Sequence, residues 1–184
     1  MVDMAREEHL IRTRTSLALV VVLVCFAAGH LLLPRAFVFP GDVANRLAFA
    51  AQAAAFVLSC LLVAIGMVST GRRRSRDDIA GAAAGPPSPV LATKVAFLQN
   101  TLEQSVLACG AFLAFAAVVD GAWLALLPVA AVLFCVGRVL FYRGYPSGAG
   151  GRAFGMALTL LPGALLLLAV LVVVVLRMAA SVLA

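Results

Sequence analysis

Five apolar stretches, at about 16–33, 47–69, 93–118, 122–141 and 153–176, constrain this chain more than any other feature. Each is long enough, or nearly so, to cross the hydrocarbon of a bilayer as a helix, which takes about 20 residues. With 64% hydrophobic and 12% charged residues among 184, the chain carries more apolar surface than a soluble domain can hide, and it reads as an integral membrane protein. Runs this long and unbroken argue for helices rather than barrel strands, whose residues alternate between lipid and lumen. The fourth run is the weakest, because only Ala122 to Gly137 is free of charge. It crosses if Arg138 and Tyr142 snorkel to the interface. The expected fold class is therefore all-α, an integral membrane helical bundle with five spans.

Lysine and arginine placement orients the spans. Eleven of these residues fall on one side: Arg6, Arg12 and Arg14 in the leader, the cluster from Arg72 to Lys94, and Arg138, Arg143 and Arg152 around the fourth loop. Only Arg35, Arg46 and Arg177 fall on the other. The N-terminus is expected in the cytoplasm and the C-terminus on the opposite side, in a bacterial inner membrane or one like it. The net charge of +6 is then an anchor to anionic lipid and gives no sign of a nucleic-acid partner. The leader MVDMAREEHLIRTRT contains Asp3, Glu7 and Glu8 and is followed by no clean small-residue cleavage site. The first run is accordingly expected to be a retained helix and not a signal peptide.

The third run opens on FLQNTLEQ, which carries Gln99, Asn100, Thr101, Glu103 and Gln104 into a segment otherwise made of Val, Leu, Ala, Phe and Cys. A carboxylate so placed costs several kcal/mol unless something meets it. Asn100, Glu103 and Gln104 follow i, i+3, i+4 spacing and share a helix face. Glu103 lies about 26 Å along its helix from the Asp120 turn, and Arg138 about 24 Å along the next from Ala122, so the two sit at similar depth. Arg72 to Arg74 and Arg152 approach the same level. These groups are able to bind a polar, partly anionic molecule. They also suit internal glue, with Glu103 and Arg138 as a packing ion pair. A transporter with Glu103 as its coupling carboxylate fits less well, since Glu103 lies off the midplane and no inverted repeat is visible.

The remaining features carry little chemistry. Cys25, Cys60, Cys109 and Cys135 lie within spans at unpaired spacings and read as packing residues. No metal site is expected, because His30 has no partner histidine. The glycine-rich SGAGG at 147–151 lacks the Lys-Ser/Thr of a phosphate loop and reads as a connector. The loop from Thr70 to about Ser88 reads as exposed, with Ser88 and Pro89 starting the third helix. The tight VVDGA turn joins the third and fourth helices as an antiparallel hairpin.

QNTLEQ at 99–104 is similar to the Asn-x-x-Glu motif of the MAPEG family, the membrane-associated proteins in eicosanoid and glutathione metabolism. GRVLFYRGYPSGAGGR at 137–152 resembles that family's segment after its third helix, and the resemblance spans roughly residues 45 to 180. It implies a four-helix domain over 45–184, preceded by a leader and an additional membrane helix over 1–44. It also implies a homotrimer, with glutathione as cosubstrate bound between neighbours near the cytoplasmic surface. By the same resemblance, Asn100, Glu103 and Tyr145 are candidate glutathione contacts, with Arg73 and Arg74 as looser ones. Gln104, on the face of Asn100 and Glu103, and Tyr142, four residues after Arg138, are added as candidates by spacing. Arg152 and Arg138 are the candidates to stabilise the thiolate. Two positions depart from the family pattern: Ala96 stands where an arginine is common, and Phe141 where a tyrosine is expected. The reading is a membrane-embedded transferase or peroxidase acting on lipophilic electrophiles. The alternative is a non-catalytic protein of the same fold serving as an interaction or accessory subunit.

Overall fold

In the computed structural model, which describes residues 3–183, five long helices account for most of the chain, with no strand among the described residues. They are α1 (Met4–Leu32), α2 (Val43–Arg73), α3 (Pro89–Val118), α4 (Leu126–Arg143) and α5 (Gly148–Leu183). All five are long and apolar enough to cross a membrane. The helices run further than their apolar stretches: α1 begins twelve residues before the expected span, because Asp3 caps it by accepting from the Arg6 N–H at 3.2 Å, satisfying a free donor of the first turn. Asp42 does the same for α2, and Ser88 with Pro89 opens α3 as the sequence leads one to expect.

Four of the helices form a ring in the order α2, α3, α5, α4, and α1 packs on the outside against α5 and, more lightly, α4. The short α3–α4 connection does not make its two helices close neighbours, contrary to the hairpin expectation. They lie across the ring from each other and touch at few points. Closer approach is reserved for the α4–α5 pair, whose facing residues are glycines. A side chain at Gly155 would come within 2.2 Å of the Phe141 backbone nitrogen, and one at Gly144 within 2.6 Å of the Gly151 carbonyl. Small residues let membrane helices gain dispersion contacts and backbone proximity that bulky ones forbid.

The core draws on all five helices, with Val22 of α1, Val57 of α2, Phe112 and Phe115 of α3, Leu127 and Phe134 of α4 and Leu166 of α5 fully buried, together with Leu124 in the turn before α4. Outward faces of α1 and α5 stay apolar, as at Leu17, Val20, Leu171 and Val175, which suits lipid. The opposite end from the arginine cluster is closed by two cations. Arg46 reaches Asp120 at 3.7 Å, and Arg177 donates to the Val118 carbonyl at 2.7 Å. The α2–α3 loop is more ordered than its composition suggests. Buried Asp78 accepts from the N–H and the hydroxyl of Ser88 at 2.8 and 2.7 Å, and that Ser88 N–H, ahead of the hydroxyl, holds its carboxyl below the usual carboxylate range.

Gly155→Ala tests the α4–α5 interface. The added methyl meets backbone that cannot swing away, so we expect destabilisation at or above the ~1–3 kcal/mol of ordinary overpacking. It is read as a lowered melting temperature in detergent. Gly66→Ala, where nothing lies within 4 Å of the new atom, should be close to neutral.

Candidate functional site

The arginine-rich ends of the helices meet at one end of the bundle, where a cavity of about 450 Å³ lies between α3, α5 and the first helix. Its polar lining comes from Asn100 of α3, Tyr145 just after α4, Arg152 of α5 and Thr15 of α1. The apolar lining includes Met156, Leu160 and Leu161 along α5, facing Ile11 of α1. Ala96 and Phe141, the two departures from the family pattern, also face the cavity.

Each polar group has a local reason for its place. Arg152 rises from the first turn of α5, and its guanidinium carbon lies 4.9 Å from the centre of the Tyr145 ring, a cation–π distance. Tyr145 is itself wedged edge-on against Phe141 at 5.2 Å. Asn100 is fixed from behind. Its Oδ1 accepts from Arg138 Nη1 at 2.8 Å, which leaves its amide N–H groups free to donate. Arg138 does not line the cavity. It is 3% exposed, its other Nη donates to the Thr159 hydroxyl, and its guanidinium lies over the rings of Phe141 and Phe134 at 4.7 and 5.6 Å. Among the described residues no carboxylate pairs with it: Glu103 accepts from Gln99 Nε2 at 2.9 Å on the outer face of α3. The Glu103–Arg138 ion pair considered for the interior is therefore not formed.

The other sequence candidates fall in three places. Gln104 is buried and its Oε1 has no partner among the described residues. Tyr142 packs edge-on to Phe97 at 4.9 Å. Arg73 and Arg74 are exposed at the end of α2, outside the cavity, with Arg73 donating to the Ser69 hydroxyl at 3.3 Å. The structure thus brings Asn100, Tyr145 and Arg152 to one cavity, with Arg138 behind it, and does not bring Glu103, Gln104, Tyr142, Arg73 or Arg74 there. Residues that sequence reading missed are Thr159, Thr15 and Ile11. Thr159 carried a faint signal, since Arg152, Met156 and Thr159 follow i, i+4, i+7 spacing on one face. Nothing in the first helix marked Thr15 or Ile11.

Every polar side chain of the lining can donate (a guanidinium, a carboxamide N–H, a phenol and a hydroxyl, the last two also able to accept), and no acid is among the lining residues. That set suits an anion, and the volume lies within the usual range for small-molecule sites. An anionic thiol peptide such as glutathione fits it by charge sign, although one lining cation offers a single strong anchor. Among the described residues no cluster of three or more His, Cys, Asp or Glu is placed to hold a metal. The His30 ring packs at a tilt against Trp123, with centroids 4.3 Å apart. The cysteines are free, with the Cys60 and Cys135 sulfurs 3.4 Å apart between α2 and α4.

Fold and site together define an integral membrane protein of the four-helix kind, with one further helix packed on its flank. The family model of the MAPEG family matches residues 47–176, and the chain belongs to that family, the membrane-associated proteins of eicosanoid and glutathione metabolism. The match covers α2 to α5 almost entirely and leaves α1 outside it. No curated protein and no solved structure matches the chain.

Arg138 ties Asn100, Thr159 and two aromatic rings into one buried unit, and this makes a direct prediction. Thr159→Val removes the acceptor of a charged donor and should cost about 1.5–3 kcal/mol, seen as a lower melting temperature. Arg138→Lys should not restore the native value in place of Arg138, because a single ammonium lacks the planar fork that reaches both Asn100 and Thr159.

Proposed function

We propose that this protein is a glutathione-dependent transferase or peroxidase acting on lipophilic electrophiles. The observation that carries the reading is the donor-rich cavity with no acid among its lining side chains, in which Arg152, Asn100 and Tyr145 converge beside an apolar wall. Glutathione supplies, when bound, the nucleophilic sulfur, which attacks only as the thiolate. Arg152 favours the charged form of that thiol by placing a positive charge beside it. Tyr145 keeps the guanidinium seated, and Asn100, held by Arg138, offers N–H donors to the peptide. Met156, Leu160 and Leu161 leave an apolar approach, through which an electrophile dissolved in lipid reaches the site sideways. In this reading the arginine-rich end faces the cytoplasm, by the positive-inside bias.

The homotrimer belongs to the same proposal, and α3 supplies its physical argument. Gln99, Glu103, Val106, Gly110, Leu113 and Ala117 are all exposed along α3, at alternating spacings of four and three. That is the seam of a helix meant to meet another helix. A carboxylate and an amide on a membrane helix's outer face are costly against lipid, and two further copies of the chain would cover them. Glu103, Arg73 and Arg74 could then serve a ligand only across a subunit boundary.

A second reading, a non-catalytic member of the family acting as an accessory subunit, is favoured by Ala96 and Phe141, which line the cavity without charge or hydroxyl. Calorimetry of glutathione with the detergent-solubilised protein separates the two. We expect binding in the wild type, weakened ten-fold or more in Arg152→Ala, in keeping with about 1.5–3 kcal/mol for a charge-assisted hydrogen bond. The ultraviolet thiolate signal should disappear in the same variant. No binding by well-folded wild-type protein would remove the transferase reading and leave the accessory one. Native mass spectrometry addresses assembly: three chains per particle are expected, and Gly110→Trp should shift the distribution to single chains. A wild-type particle of one chain would sink the trimer.

A further inference from the structure

The first helix lies outside the family match, yet its first four turns are bound to the part of the fold that carries Arg152. Three contacts converge there. Glu7 Oε2 accepts from the Gly150 N–H at 2.7 Å. Arg14 Nη1 donates to the carbonyls of Gly150 and Gly151 at 2.8 and 2.9 Å. Leu10 lies so close that a side chain at Gly150 would come within 2.8 Å of its Cβ. One carboxylate thus satisfies a free N–H in the first turn of α5, where helix donors lack partners and a negative charge is favoured. The arginine grips the same turn from its carbonyl side. Arg152 follows Gly151 directly.

The side of α1 that makes these contacts also faces the cavity. Ile11 is four residues after Glu7, and Thr15 is one residue after Arg14, and both line it. The Glu7 carboxylate and Nη1 of Arg14 are taken up by backbone and neither residue lines the cavity, so α1 contributes to the lining only a branched alkyl group and a hydroxyl.

We propose that α1 is a specificity wall for this cavity. Ile11 and Thr15 are its ligand-facing residues, and Glu7 and Arg14 are positioning residues that seat the α4–α5 turn and, through it, Arg152. The wall rests on the reading of the cavity as a ligand site. It selects a ligand with an anionic group at Arg152 and an uncharged, lipophilic portion against α1. A second anionic group on that side would find no cation among the lining residues.

The test uses the full chain in detergent and has two arms. In the first, Ala153→Cys places a reporter among the residues lining the cavity, and a water-soluble maleimide labels it, read by peptide mass. We expect labelling of the reporter to accelerate ten-fold or more when Arg14→Ala or Glu7→Gln is added, and Arg14→Lys to restore protection. The native Cys109 in the same samples should react at an unchanged rate. Equal labelling with and without the α1 changes would overturn the wall whether or not glutathione binds. A parallel rise at Cys109 would also overturn it, since Arg14 would then support the whole fold and not the cavity. In the second arm, Ile11→Trp should weaken glutathione binding ten-fold or more by filling the cavity. Leu17→Trp, at an exposed site on the same helix, should leave binding unchanged. Binding by Ile11→Trp equal to wild type would overturn the wall. Failure of wild type to bind glutathione would remove the transferase reading instead, and the maleimide arm alone would then decide the role of α1.

Discussion

A guanidinium buried in a membrane bundle, with no carboxylate to meet it among the described residues, organises much of what surrounds it. Arg138 is 3% exposed, and its partners are an amide oxygen, a hydroxyl and two aromatic faces. Each partner comes from a fixed place on α3, α4 or α5, so the three helices share one rotational setting at that level. A charge in such surroundings is costly unless its donors find partners; both Nη groups of Arg138 do, while its buried Nε has none among the described residues. Asn100 is thereby held with its oxygen turned inward and its amide hydrogens toward the cavity. The group that seemed a candidate for chemistry acts as the frame on which the cavity's own donors are mounted.

Close helix approach is the second constraint, and it depends on residues with no side chain at all. Gly137, Gly144, Gly151 and Gly155 let α4 and α5 run almost backbone to backbone. Only then does Thr159 come within reach of Arg138, and Arg152 within reach of the Tyr145 ring. The same crowding explains why α4 packs beside α5 and not beside α3, its neighbour in sequence. α3 is left with contacts to α2 and α5 and with an outward stripe from Gln99 to Ala117. The polar end of that stripe holds Glu103 beside Gln99, away from the interior.

The fold was legible to an unusual degree. Five apolar runs gave five helices, and lysine and arginine placement marked the end of the bundle at which the polar residues gather. QNTLEQ and the segment from Gly137 to Arg152 pointed to the MAPEG family, to which the chain belongs. Helix ends were less legible, because α1 and α5 continue well past hydrocarbon length in residues whose apolar content gives no cue. The cavity was legible in part. Asn100, Tyr145 and Arg152 do line it, but helical spacing also grouped Glu103 and Gln104 with Asn100. An interval of three or four residues spans up to about 60° of arc, enough for Asn100 to face inward while Glu103 faces out.

What the sequence determined by itself was class and level: how many helices cross, which ends share a side, and which polar residues lie at one depth. These follow from hydropathy and from charge counted along the chain, both of which are local sums. What only the tertiary structure decided was direction and company: that Arg138 bonds Asn100 and Thr159 instead of Glu103, and that α1 closes a cavity built by the other helices. Such facts depend on the rotation of each helix about its axis and on which pairs approach most closely. Those are set by contacts between residues far apart in sequence, such as Arg14 with Gly150 and Arg138 with Asn100, and no pattern within a single helix encodes them.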